Sequence, residues 1–193
     1  MIVKICGITN AEDALAAIEG GAAALGFNFW PGSPRYIAPE AAGRMIGQLP
    51  ASVWKVGVFV DESPKAVAAI VRQAGLDVAQ LHGRETAADF PVGMRVWKAV
   101  RIGQTFDAAQ LEQYPAEAVL LDGPANGGGF DWSLAGRVSK KVIIAGRLNA
   151  ANIRQAIDLA RPWGVDVCSR IESAPGKKDH QKMAQFLKAA LGS

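Results

Sequence analysis

Eight short apolar runs divide the chain from end to end, at residues 2–6, 23–29, 53–60, 78–81, 95–100, 118–122, 141–145 and 165–168. Their β-branched and aliphatic residues are too continuous for strands with one face in water, so they read as parallel strands covered on both sides. Segments 11–19, 39–48, 64–73, 105–113, 150–160 and 181–191 have helical spacing, while "ETAADF" and "DWSLAG" leave room only for short helices. Eight β-then-α units ending on a helix predict an α/β chain folded as a single closed (β/α)8 TIM barrel. The rival, an open doubly wound sheet, would carry a GxGxxG turn after an early strand, and none follows the first run. With 193 residues the loops must be short, and one compact domain, 1–193, takes the whole chain.

Composition narrows the function classes. The net charge is +3 with no basic stripe, which disfavours a nucleic-acid partner and suits a small anionic ligand. Two cysteines, Cys6 and Cys168, far apart in a chain large enough to hold its own core, favour a reducing compartment, although closure of the barrel would set them on adjacent strands about 4.8 Å apart, near enough to oxidise. No signal-peptide pattern opens the chain and no apolar run reaches the about 20 residues that span a bilayer, so a cytoplasmic protein with no membrane partner is expected. His82 and His180 are the only histidines and the cysteines lack zinc-ligand spacing, so we expect a reaction without metal or cofactor. Trp54 and Trp163 read as core or interface, which leaves monomer and homodimer both open.

In a barrel of this kind chemistry sits where strands run into the loops that follow them. The residues at those ends are Cys6, the loop around Arg35, His82, Arg101, Asp122, Gly146 with Arg147, and Ser169 with Arg170. Cys6 is either a small buried apolar group or a reactive thiol aimed at the mouth by the turn at Gly7. Asp122 closes the run "AVLL", where a carboxylate is costly unless paired or solvated, and its place favours catalysis. The exits "IIAGRLNAANI" and "VDVCSRIESAPGKKD" are placed to bind phosphate through backbone N–H groups. Arg147 and Arg170 either add charge-assisted donors there or point to solvent. Pro31 and Pro34 stiffen the loop that carries Arg35, which is either an anion clamp or surface charge. His82 either contacts ligand or satisfies a backbone carbonyl. The glycines of "GPANGGGFDW" suit a mobile lid or an ordinary connection.

The segments "VKICGIT", "EDALAA", "GFNFWPGSPRYI", "KVGVFV", "QLHG", "LLD", "GFDW" and "GVDV…ESAPGKKD" together resemble the phosphoribosylanthranilate isomerases of tryptophan biosynthesis, in that family's order and over nearly the whole chain. The resemblance implies a cofactor-free barrel that rearranges N-(5'-phosphoribosyl)anthranilate to 1-(2-carboxyphenylamino)-1-deoxyribulose 5-phosphate. It implies Cys6 as general base, Asp122 as general acid, Arg35 on the anthranilate carboxylate, Gly146–Arg147 and Ser169–Arg170 on the phosphate, and His82 in support. The thiol must then lose a proton near neutrality and the carboxyl keep one, so their surroundings must act in opposite senses. The chain departs from the family at Arg147 and Arg170, where glycine is usual, and in a shorter loop after Asp122. A catalytically silent barrel that binds a phosphorylated metabolite is the alternative those departures motivate.

Overall fold

Residues 1–103, 106–123 and 130–192 are described by a computed structural model. Eight parallel strands form a closed barrel: β1 (Ile2–Cys6), β2 (Ala24–Asn28), β3 (Trp54–Phe59), β4 (Val78–Leu81), β5 (Arg95–Arg101), β6 (Ala118–Asp122), β7 (Lys141–Ile144) and β8 (Gly164–Val167). Each overlaps the run read from sequence to within a residue or two. The eighth strand returns to the first, with Lys4 registered on Asp166 and Ile5 on Val167.

A period of two along every strand separates two cores. Leu25, Phe27, Phe59, Leu81, Val119, Leu121, Ile144 and Val165 face outward into the mantle of helices. Ala24, Val56, Val78, Trp97, Ala99, Ala118, Leu120, Ile143 and Ala145 fill the interior. Trp54, Trp97 and Trp163 pack together across the floor with ring centroids 5.7–5.9 Å apart, Trp97 fully buried and the other two partly so. Arg95 lies 4.0 Å over Trp54 and Lys141 lies 4.8 Å over Trp163, so cations cover this aromatic layer from below.

The helices are α1 (Ala11–Glu19), α2 (Pro39–Ile46), α3 (Pro64–Ala74), α4 (Ala108–Glu112), α5 (Ile153–Ala160) and α6 (His180–Leu191). Side-chain caps set their starts: Asn10, Ser63, Asp107 and Asp179 each accept a hydrogen bond from a first-turn N–H. The capping role of Asp107 explains why α4 begins at Ala108, three residues after the expected start, Thr105, which lies outside the described residues. Helix α5 also starts three residues late, because Asn149 Oδ1 accepts from the N–H groups of Ala151 and Asn152 and holds that stretch as a turn. As expected, "ETAADF" and "DWSLAG" yield only short 3-10 turns, over Ala87–Asp89 and Trp132–Arg137. One element was not read from sequence: a hairpin of β9 (Glu172–Ala174) and β10 (Lys177–Lys178) turning at Pro175-Gly176. No helix among the described residues is long and apolar enough to cross a membrane.

Candidate active site

At the end of the barrel where the strands run out, one cavity of about 540 Å3 is lined by Cys6, Arg35, His82, Asp122, Gly146, Arg147, Ser169 and Arg170. These eight, and Arg101, the ninth strand-end residue singled out in the sequence, therefore border one space. Several residues not singled out for a role border it too, among them Gln80, Asp166 and Cys168.

Cys6 ends β1, and the turn that follows needs a residue without a side chain. Gly7 has φ +75°, and a Cβ there would lie 2.7 Å from Arg35 Cδ and 2.9 Å from Cys168 Sγ. Beneath Cys6 the barrel holds a buried charge pair, Lys4 Nζ to Asp166 Oδ1 at 2.8 Å. Lys4 Nζ and Cys6 Sγ both pack on the bare face of Gly26, at 3.0 and 2.8 Å from where its Cβ would be. The hydrogen bond with Cys168 holds the Cys6 thiol well below the ordinary thiol range; burial opposes this, while Lys4 and Lys178 reinforce it. Cys168 moves the opposite way, raised by its interaction with Cys6 and by burial, so it keeps its proton; its Sγ donates to Glu172 Oε1 at 3.9 Å. Burial opposes the charge on Lys4, yet Asp166 and Cys6 outweigh it and raise the ammonium above its usual value. Burial pushes Asp166 up to about 7 despite Lys4. The base expected from the resemblance thus sits in surroundings that favour a thiolate.

Asp122 ends β6, with its side chain about a quarter exposed and Oδ2 3.4 Å from His82 Nε2. The ring continues the chain of polar groups, since His82 Nδ1 lies 3.4 Å from Gln80 Nε2. Gln80 Oε1 is buried and has no partner among the described residues, an acceptor left for whatever enters the cavity. The backbone at His82 is fixed from behind, where Lys98 and Glu85 form a buried pair at 2.8 Å. Glu85 also accepts from the N–H groups of Asp61 and Gly83.

Arg35 is anchored rather than loose. Its Nε and Nη2 reach the two carboxylate oxygens of Glu172 at 2.9 and 2.6 Å, which raises its pKa. Two of the five guanidinium donors are so committed, and the remainder can serve a ligand. Glu172 also accepts from Lys178 Nζ at 2.9 Å; burial opposes its charge, but the two cations hold its carboxyl below the usual range. Glu172 and Lys178 come from the hairpin, which Asp13 of α1 pins by accepting from the Lys178 N–H at 2.8 Å.

The two arginines at glycine positions differ. Arg147 holds φ +58°, a left-handed conformation that glycine adopts without strain, whereas Arg170 lies in the 3-10 turn Ser169–Ile171, where a side chain is tolerated. Gly146 has no such latitude: φ is +85°, and an added Cβ would meet the Gly123 N–H and lie 3.1 Å from Asp122 Oδ1. The glycine-rich segment proposed as a lid lies largely at 124–129, outside the described residues.

A second cavity of about 570 Å3 adjoins the first, sharing Arg35 and His82 and adding Trp30, Val60, Val100 and Tyr114. Sequence reasoning missed Lys4, Gln80, Asp166, Glu172 and Lys178 as parts of the site, whereas Cys168 stands beside Cys6 as barrel closure predicts. For Lys4 and Asp166 a signal existed, since each is a charge at an inward position of an otherwise apolar strand.

The sequence profile "N-(5'phosphoribosyl)anthranilate (PRA) isomerase" matches residues 3–189. N-(5'-phosphoribosyl)anthranilate isomerase of Solibacter usitatus is 55% identical over the full length of both chains. The crystal structure of phosphoribosyl anthranilate isomerase from Thermus thermophilus superposes with a TM-score of 0.90 at 38% identity, covering 100% of this chain and 99% of that one. A structure of such an isomerase in complex with reduced 1-(o-carboxyphenylamino)-1-deoxyribulose 5-phosphate superposes at 0.87 with 40% identity over the whole of both chains. A mouth built around a thiol and a carboxyl, on a barrel matched from end to end by these proteins, places the chain in the N-(5'-phosphoribosyl)anthranilate isomerase family.

Proposed function

We propose that this chain converts N-(5'-phosphoribosyl)anthranilate to 1-(2-carboxyphenylamino)-1-deoxyribulose 5-phosphate, with Cys6 as general base and Asp122 as general acid. One observation carries the assignment of roles: a thiol whose surroundings favour the thiolate borders the same cavity as a strand-end carboxyl.

Asp122, in its protonated form, donates to the furanose ring oxygen as the C1–O bond breaks, leaving a Schiff base between C1 and the anthranilate nitrogen. The Cys6 thiolate then removes the proton from C2, and the electron pair moves to form the enolamine. Return of a proton to C1 and loss of the C2 hydroxyl proton give the amino ketone. No cofactor enters any of these steps. Positive charge on the Schiff base strengthens as the furanose opens, which favours the thiolate beside it.

The substrate has two anionic ends, and the mouth has two cationic sides. The aromatic ring fits the second cavity beside Trp30 and Tyr114, its carboxylate toward the uncommitted edge of Arg35. The phosphate lies at the turns Gly146–Arg147 and Ser169–Arg170, where backbone N–H groups and guanidinium groups supply donors. Gln80 Oε1 accepts a ribose hydroxyl between them.

Turnover consumes the fluorescence of the N-linked anthranilate, which gives a direct assay. Wild-type protein is expected to quench it, and Cys6→Ser and Asp122→Asn are each expected to lower kcat by roughly 10²–10⁴-fold with circular dichroism unchanged. Either variant turning over at the wild-type rate would remove that residue from its role.

A further inference from the structure

Closure of the barrel sets its two cysteines side by side. Ile5 is in register with Val167, so Cys6 and Cys168, next along each strand, are neighbours across the seam. Adjacent strands lie about 4.8 Å apart, inside the Cα separation of about 4.4–6.8 Å that a disulfide spans. Both side chains also share the inward phase, because Lys4 and Asp166, two residues before each, meet inside the barrel.

Three further observations bear on reactivity. The thiols are neighbours across the seam and neither is in a disulfide. Both line the open mouth cavity, so a small solute can reach them. Cations surround them: Lys178 Nζ lies 4.0 Å from Cys168 Sγ, and Lys4 shares the bare face of Gly26 with Cys6. A partly exposed thiolate with cations around it and a second thiol in contact has the arrangement of a redox-sensitive pair.

We propose that Cys6 and Cys168 form a peroxide-responsive dithiol, a modification site that a disulfide closes across the β1–β8 seam. The Cys6 thiolate attacks one oxygen of hydrogen peroxide; the O–O bond breaks, the departing hydroxide takes a proton and leaves as water, and Cys6 becomes a sulfenic acid. Cys168 then attacks the Cys6 sulfur, the S–O bond breaks, and the Cys168 proton leaves with the hydroxyl as a second water. Two thiols have given two electrons to one peroxide, and a dithiol reductant reverses the bond by exchange. That the disulfide silences the enzyme rests on the reading of Cys6 as the base.

Full-length wild-type and Cys168→Ser protein are treated with hydrogen peroxide, digested under acid for mass spectrometry, and assayed before and after dithiothreitol, each against its own untreated rate. Wild type is expected to lose the mass of two hydrogens, to yield a peptide linking Cys6 to Cys168, and to lose at least about a hundredfold in rate, recovered by dithiothreitol. Cys168→Ser lacks the resolving thiol, so its Cys6 is expected to proceed to the sulfinic acid, and its loss of activity to survive dithiothreitol. Treated wild type that keeps two free thiols, or that carries sulfinic Cys6 with no linked peptide, would overturn the proposal. A linked peptide with activity intact would uphold the dithiol and overturn instead the reading of Cys6 as the base.

Discussion

Lys4 carries its charge where a (β/α)8 barrel otherwise packs aliphatic side chains, and the cost of doing so is offset by Asp166 and used by Cys6. Replacing Lys4 by Met leaves the Asp166 carboxyl buried without its partner, and breaking such a pair costs about 3–5 kcal/mol. Urea unfolding is expected to show that loss for Lys4→Met and to recover most of it in Lys4→Met/Asp166→Leu. The double variant separates stability from reactivity. With the ammonium gone, the Cys6 thiol titrates higher, so the acid limb of its kcat/KM profile moves to higher pH and alkylation by iodoacetamide at neutral pH slows. An unmoved acid limb would show that Cys168 and Lys178 set the thiolate without Lys4. Gly146 illustrates the opposite kind of residue, whose identity is fixed by backbone angle and by the nearness of Gly123 and Asp122 rather than by charge.

Among the elements, the strand starts are tied by ion pairs at the end remote from the chemistry. Glu117, just before β6, accepts from Arg95 on β5 through Nε and Nη2, each at 2.8 Å, and from Lys141 on β7 at 2.9 Å. The hydrogen bonds from Arg95, and after them those from Lys141, lower the Glu117 pKa to about 2 although burial opposes the shift. A carboxyl lowered on folding adds stability above its unfolded value, ordinarily about 4.3, and the contribution disappears as pH falls through about 2. Because Arg95 and Lys141 are nearly half exposed, screening keeps the clamp to about 1 kcal/mol. Glu117→Gln is therefore expected to lower Tm by a few degrees at pH 7 and to match wild type near pH 2. At this scale the strands were legible, since an apolar run between turn residues depends on neighbours in sequence. The starts of α4 and α5 were less so, because Asp107 and Asn149 rearrange local hydrogen bonds in ways that spacing does not reveal. The hairpin Glu172–Lys178 escaped because its strands are too short for an alternation, although Pro175-Gly176 marks its turn.

For the whole molecule, the floor and the mouth divide stability from chemistry. Trp97 is fully buried between Trp54 and Trp163, so Trp97→Ala opens a void in the floor and is expected to cost about 3–5 kcal/mol in urea unfolding. Cys6 and Asp122 lie at the other end of their strands, and the folded fraction is expected to keep its kcat. A large fall in kcat at temperatures where circular dichroism shows native protein would mean that the floor also positions the mouth. The sequence by itself determined the eightfold alternation, and with it the barrel and the strand ends where Cys6, His82 and Asp122 stand, because hydrophobic period and turn residues act over a few positions. Only the tertiary structure decided what each of those groups touches. Lys4 and Asp166 are 162 positions apart and Arg35 and Glu172 are 137 apart. Contact across such distances depends on closure and on strand register, where a slip of one residue would turn every inward side chain outward.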